Sequence, residues 1–292
     1  MTRVVHEEPV TEVTAAEPKK KSRLLRWLIR LAIFFAVIAT ALALVYFTAP
    51  DHYNILLVGS DQRGTERARS DVLILVSIPK KSPGSLILLT IPRDTKVEDS
   101  EYGLQKMTHF YAFGDREEGS VLGNIDLTKN VIERKLNVPI HATAEVTFSS
   151  FEQLIDDIGG VAVSSGTLTG AEALEVVRDR YRPGGDFARA ADQREIVEAI
   201  MGKFQSLNLL DQVYSYLTTN QQTRLRYSQR EFIHFAAAFV LGHLTDRHLP
   251  QPQEEVLPGA SARIYTPEFG KSLYYYVLDT EATNELLGRT IR

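Results

Sequence analysis

Residues 54–91 read NILLVGSDQRGTERARSDVLILVSIPKKSPGSLILLTI and hold three apolar runs, Asn54–Gly59, Asp71–Ile78 and Ser85–Ile91. Unbroken apolar runs of this length, without alternation, predict strands covered on both faces. Lys80–Gly84 (KKSPG) separates the second and third runs as a short hairpin turn. Charge gathers where the runs stop. Ser60-Asp61-Gln62-Arg63 follows the first, Arg69-Ser70-Asp71 opens the second, and Pro92-Arg93-Asp94-Thr95 closes the third. Layered α/β folds collect ligands at such strand ends, where loops converge.

Upstream, residues 1–23 are polar and end in Lys19, Lys20, Lys21 and Arg23. Leu31–Pro50 then carries no charge, close to the about 20 residues a helix needs to span a bilayer. Trp27 and Tyr46 stand at its two sides as interface aromatics. The expected organisation is a basic cytoplasmic tail (1–23), a transmembrane anchor (24–50) and an extracytoplasmic domain (51–292), by the positive-inside rule. A cleaved signal peptide is the alternative, with Ala39-Thr40-Ala41 or Ala41-Leu42-Ala43 as the cleavage site. Its apolar core would be shorter than this run, so an uncleaved anchor is expected.

Downstream, helical and strand patterns alternate. Leu127–Leu136 reads as a helix, His141–Phe148 as a strand, and Phe151–Ile158 as a helix stopped by Gly159-Gly160. Thr169 and Glu172 form a capping-box pattern opening Ala171–Val177. Helices are expected over Phe187–Gln205, Leu209–Leu217 and Ser228–Leu244, a loop over Pro250–Pro258, a strand at Tyr274–Leu278 and a closing helical turn at Thr283–Leu287. The mixture predicts a single three-layer α/β/α domain with a central mixed sheet.

Composition excludes several classes of function. A net charge of −4 argues against a nucleic-acid partner, and the cytoplasmic tail is too short for a DNA-binding fold. The absence of cysteine excludes disulfides, zinc thiolates and a cysteine nucleophile. No phosphate-binding P-loop, G-x-G-x-x-G, H-E-x-x-H or G-x-S-x-G motif is present.

What remains is arginine and aspartate. Arg178–Arg194 reads RDRYRPGGDFARAADQR. Arg178, Arg180 and Arg182 alternate, so an extended segment would project them to one side. Asp186, Arg189 and Gln193 share one helix face. Fork-shaped cations in this number suit a pyrophosphate, although charge runs taken alone are most often solvated surface. Asp61 and Asp71 can share a divalent cation or simply bond local backbone amides. Arg93 can contact phosphate or pair with Asp94 or Asp71. Lys106 is a further phosphate candidate, and His109 reads as a structural histidine. Without an evident nucleophile, the inventory points to phosphoryl chemistry by positioning and charge neutralisation.

The blocks NILLVGSDQR, RSDVLIL, LTIPRDT, KMTHFYAFG, IDDIGGV and RDRYRPGGDFARAADQ occur in that order. Together they resemble the LytR-CpsA-Psr family of membrane-anchored cell-wall enzymes over Asn54–Leu287. The resemblance implies an α/β sandwich enclosing a long apolar pocket for a polyprenyl chain. It implies a phosphotransferase that moves a glycopolymer from a polyprenyl-pyrophosphate carrier to a peptidoglycan hydroxyl, leaving a phosphodiester and using Mg2+. Teichoic acid, arabinogalactan and capsule are all compatible polymers. By residue, Asp61 and Asp71 match metal-associated aspartates, and Arg63, Arg69, Arg93, Arg178, Arg180 and Arg189 match arginines around the pyrophosphate. Lys106 and Gln193 match further polar positions, and Asp186 the aspartate preceding the arginine helix; catalytic roles are implied for Arg93, Asp61 and Arg180. The family usually reads D-x-x-R-x-x-R-Q, whereas Asp192 holds the second arginine position here. An anion beside a phosphate site should weaken anion binding. Asp192, one turn from Arg189, can instead pair with that arginine and hold its orientation, or stand behind the contacting residues, where the change is neutral. Arg194 is no simple substitute, being about 200° round the helix from it. Two competing functions are a non-catalytic module that binds a lipid-linked polymer and a polyprenyl-pyrophosphate hydrolase.

Overall fold

The computed structural model describes residues 23–61, 69–81, 84–114, 120, 122–179, 185–203, 214–244 and 252–291, with main chain only at 185–187 and 268. The chain divides into two compact units at Phe47/Thr48. In the first, α1 (Arg23–Thr48) is a 26-residue helix without a buried side chain. At about 1.5 Å per residue it is long enough to cross a bilayer, and its composition is apolar enough to do so.

The second unit opens with β1 (His52–Ser60), β2 (Ser70–Pro79) and β3 (Leu86–Thr90), then β4 (Lys96–Asp99), β5 (Gly103–Lys106) and a 3-10 turn at Met107–His109. Next come α2 (Ile125–Leu136), β6 (Ala142–Thr147), α3 (Phe148–Asp157), β7 (Val161–Val163), β8 (Gly166–Leu168), α4 (Gly170–Arg178) and α5 (Gly185–Lys203). The chain closes with β9 (Thr223–Tyr227), α6 (Gln229–Gly242), β10 (Pro252–Val256), β11 (Gly259–Thr266), β12 (Lys271–Leu278) and α7 (Thr280–Thr290).

Six strands form a mixed sheet in the order β10-β3-β2-β1-β6-β9. β1 is antiparallel to β2 and parallel to β6, β3 is antiparallel to β2 and parallel to β10, and β9 is antiparallel to β6. The period-two pleat sends Leu73 and Leu75 of β2 to one face, where α2 (Val131, Ile132, Leu136) and α7 (Leu286, Leu287) cover them. Ile74 and Val76 point to the other face, against Val197 and Met201 of α5. α6 packs Phe235 and Phe239 on Tyr53 and Ala142. Both faces are therefore covered, which is why the central strands read as unbroken apolar runs. α3 and α4 share a smaller core with α5, built on Leu154, Ile155, Ala173 and Ile196.

Local signals act where expected. Gly159 and Gly160, at φ 76° and 79°, end α3. Thr169 and Glu172 form the full capping box of α4. α3 itself begins at Phe148 rather than Phe151, because Thr147 at the end of β6 caps it in a box with Ser150. Of the helix expected over Leu209–Leu217, residues 214–219 are helical and the remainder lies outside the described residues. The loop expected at Pro250–Pro258 is incorrect, since Pro252–Val256 is the edge strand β10. An edge strand tolerates a leading proline and exposed glutamates, so it lacks the apolar pattern that marks a strand. β9 and β11 escape the sequence reading for the same reason. β11 pairs with β12 throughout, from Gly259↔Leu278 to Thr266↔Lys271.

Candidate functional site

The charged ends of β1, β2 and β3 meet at one end of the sheet. Pro92 fixes its own φ and cannot donate a backbone hydrogen bond, so β3 gives way to a turn. Thr95 closes this turn on the Pro92 carbonyl through its backbone N–H (2.9 Å) and its hydroxyl (2.6 Å). The backbone on either side is pinned. Thr108 N–H donates to the Arg93 carbonyl, Tyr276 N–H to the Asp94 carbonyl and Met107 N–H to the Thr95 carbonyl, each at 2.9 Å. Arg93 and Asp94 are thereby presented by a rigid corner.

Their side chains form a chain of alternating charge. Arg93 Nη1 lies 2.5 Å from Asp71 Oδ1, Arg93 Nε lies 3.6 Å from Asp94 Oδ2, and Lys106 Nζ lies 2.6 Å from Asp94 Oδ1. Lys106 also stands over the rings of Tyr274 and Tyr275, 5.6 and 5.9 Å from their centroids. α5 supplies the lid of this corner. Arg189 and Gln193, one turn apart on the same face, line one recess with Asp71, Thr90, Arg93, Asp94, Tyr274 and Tyr276. Gln193 is steadied by donating Nε2 to the Val177 carbonyl at 3.1 Å.

Burial, then the charges of Arg69 and Lys106, depress His109 to about 4. Its Nδ1 lies 2.8 Å from Gln105 Oε1, the environment of a neutral structural imidazole.

Asp61 has a local task. Its Oδ1 accepts from the Arg69 N–H at 2.8 Å, and its own N–H donates to the Arg69 carbonyl at 3.2 Å, closing the loop between β1 and β2. Arg178 corrects the expectation of an extended alternating segment, because it sits in the last turn of α4. It is exposed, and its guanidinium stacks 5.3 Å from the Phe148 ring centroid. Phe148 follows Thr147, which pairs with Ser60 at the end of β1, so Arg178 shares the sheet end but not the recess. Arg63, Arg180, Arg182 and the Asp186 side chain lie outside the described residues. Asp192 is half-buried on α5.

Arg194, adjacent to Gln193 but turned about 100° round the helix, leaves the recess. Its Nε donates to Glu254 Oε2 at 3.0 Å and its Nη1 to Thr90 Oγ1 at 2.9 Å. It clamps α5 to the β3/β10 edge. Sequence reasoning missed Tyr274 and Tyr276 as lining residues and Glu145 as a buried acid. The signals available were the tyrosine run in β12 and a lone charge in the apolar strand ATAEVT. Glu145 is fully buried and paired with Arg224, which also donates to the Gly123 carbonyl at 2.7 Å. Burial nevertheless pushes the Glu145 carboxyl up to about 7, the Arg224 charge opposing it.

Beside this polar corner, the sheet face under α5 and α6 keeps a half-buried apolar strip. Ile55, Leu57, Val72 and Ile78 belong to it, and Ile55 and Ile78 touch the clusters of both helices.

The profile of the LytR_cpsA_psr family matches residues 37–167 and 165–245. The chain belongs to this family. Among relatives, it is similar to the polyisoprenyl-teichoic acid–peptidoglycan teichoic acid transferase TagU of Bacillus cereus, at 36% identity over 196 residues, 60% of this chain and 61% of that protein. It therefore spans less than two thirds of that relative's length. The TagU of Oceanobacillus iheyensis is 29% identical over 255 residues, 81% of this chain and 74% of the relative. The solved structure of TagT bound to LIIa-WTA superposes with a TM-score of 0.61 at 26% identity, covering 82% of this chain and 89% of that one. The mixed sheet and its helical layers are thus those of LytR_cpsA_psr domains.

Proposed function

We infer that this LytR_cpsA_psr protein is a phosphotransferase of cell-wall assembly. It moves a glycopolymer from a polyprenyl-pyrophosphate carrier to peptidoglycan and leaves a phosphodiester link. The observation that carries this reading is the convergence of Arg93 and Arg189 in one recess, with Lys106 paired to Asp94 in its wall, beside a half-buried apolar strip. A diphosphate needs cations aimed at oxygens that gain charge as the bond to the leaving phosphate breaks. A polyprenyl tail needs apolar lining. The names of the relatives, teichoic acid transferases among them, support the same substrate class.

In this reading Arg93 exchanges its Asp71 contact for a phosphate oxygen, with the rigid 92–95 turn holding it in place. Arg189 approaches from α5, and Lys106 neutralises charge from the far side of Asp94. Among the described residues no group of three His, Asp or Glu forms a protein cage for a metal. Mg2+ needs no such cage, since it keeps several waters and takes one or two carboxylates plus phosphate oxygens. Asp61 and Asp71 would hold it, and it would supply charge neutralisation at the diphosphate. The basic flank of α1 supports a single-pass topology with the N-terminus cytoplasmic and the domain outside.

The test uses the full chain in proteoliposomes with Mg2+, a polyprenyl-pyrophosphoryl saccharide and peptidoglycan oligosaccharides. Mass spectrometry is expected to show a phosphodiester-linked adduct that disappears on chelation. Free phosphate-terminated saccharide without adduct would select the hydrolase, and bound lipid without either product the binding module.

A further inference from the structure

α6 and the residue after its C-cap form a surface helix of unusual composition. Residues 232–244, FIHFAAAFVLGHL, contain no Asp, Glu, Lys or Arg. An ordinary surface helix turns its charged side to solvent. Here the inner face packs Phe235 and Phe239 against Tyr53 and Ala142, and the outer face is apolar as well. Ile233, Val240 and Leu244 are 58, 60 and 64% exposed, and Ala237 between them is exposed. Their spacing of i, i+4, i+7 and i+11 makes one continuous stripe. A contiguous exposed apolar patch of this kind marks an interaction surface.

The helix is held where the chain leaves α1. Thr48, the last residue of α1, places Oγ1 3.0 Å from His234 Nε2. Lys80 donates Nζ to the Ala49 carbonyl at 2.9 Å and pairs with Asp51 at 3.0 Å. Gly242 packs so tightly on Lys80 that a Cβ would lie 2.2 Å from its carbonyl oxygen. His234 and Gly242 are about 12 Å apart along the helix axis, so α6 runs alongside the exit point rather than away from it. Exposed basic residues stand at both ends, Arg230 (next to Glu231) and Lys81.

We propose that the outer stripe of α6 is a membrane-docking surface whose occupant is the headgroup–acyl boundary of the bilayer that α1 enters. This rests on the reading of α1 as a membrane span and is independent of the transferase reaction. An apolar stripe flanked by basic residues is the pattern of a helix lying in the interface plane. Such docking fixes the height and tilt of the domain above a lipid-linked substrate, a constraint that the anchor alone does not supply.

The chain has no cysteine, so single labels can be introduced without other changes. Ile233→Cys, Ala237→Cys, Val240→Cys and Leu244→Cys would each be spin-labelled in the full chain, in vesicles of phosphatidylcholine and phosphatidylglycerol. Collision with oxygen, which partitions into lipid, is compared with collision with a water-soluble nickel chelate. Ile38→Cys in α1 is the lipid reference and Lys135→Cys, exposed on α2, the aqueous one. The expected result is a loss of nickel collisions and a gain of oxygen collisions at all four stripe positions, to values between those of Lys135 and Ile38. Nickel access equal to Lys135 at the stripe, with Ile38 still lipid-exposed, overturns the proposal and leaves the span standing. Nickel access at Ile38 as well overturns both. Exclusion of both reagents from the stripe, with or without dipolar broadening between two copies, shows a protein cover and also overturns it.

Discussion

Arg194→Met is the perturbation whose magnitude follows most directly from the geometry. Arg194 is 7% exposed and makes two side-chain bonds, to Glu254 at 3.0 Å and to Thr90 at 2.9 Å. Both bonds carry the guanidinium charge, and losing such a bond costs about 1.5–3 kcal/mol. The Glu254 side chain is 34% exposed, so it regains water and its share falls to the low end of the range. Methionine keeps most of the packing of the arginine stem. The expected loss is about 3–4.5 kcal/mol, or roughly 6–18 °C in Tm for a unit of this size. Thermal unfolding of the full chain in detergent, followed by near-ultraviolet circular dichroism, measures it. In a double-mutant cycle Glu254→Gln should couple to Arg194→Met by about 1–2 kcal/mol. An unchanged Tm together with weakened donor binding would refute the reasoning, because that pattern belongs to an arginine that faces phosphate.

Three further outcomes follow from burial and capping. Arg224→Met strips the cation from the buried Glu145 and is expected to cost about 3–5 kcal/mol at pH 8. Burial already raises that carboxyl to about 7, so the loss should shrink at pH 5.5, where it binds a proton; equal losses at both pH values in guanidinium unfolding would contradict this. His109 titrates the other way. Its folded pKa, about 4, lies below the ordinary 6.5, so its contribution is complete above pH 6.5 and is lost as pH falls towards 4. His109→Gln should flatten the acid limb of the stability curve, although His52 and His141, also depressed by burial, retain part of it. Thr169→Ala should destabilise α4 by about 1 kcal/mol, seen as a lower denaturation midpoint at constant slope.

The strands buried on both faces were legible because burial imposes an apolar run, and β1, β2 and β3 fall within one to two residues of the expected bounds at each end. β9 (TRLRY) and β10 (PQEEV) were not, since edge strands are stabilised by backbone pairing and ion pairs rather than apolar burial. For the site, the charged strand ends and the Arg189/Gln193 spacing followed from chain geometry alone. Of the partners, those of Arg93 were open from the sequence, and its contacts with Asp71 and Asp94 both form. The others were not: Arg194 meets Thr90 across 104 positions, and Arg224 meets Glu145 across 79. Pairs at such separations are set by the sheet order, which no local pattern encodes. Arg178 was misjudged because the alternation of arginines resembles an extended segment, while the capping box at Thr169 carries the α4 helix through Arg178.

The central claim is that the corner holding Arg93 stabilises charge on a transferred phosphate. It is tested most directly by kcat/KM for Arg93→Ala in the proteoliposome transfer reaction, with the phosphodiester adduct quantified by mass spectrometry and the fold verified by Tm. Removing one charge-stabilising donor from such a site costs about 10²–10³-fold, and that loss is expected here, with Arg93→Lys recovering part of it. A folded Arg93→Ala chain whose kcat/KM stays within about threefold of wild type would contradict the account.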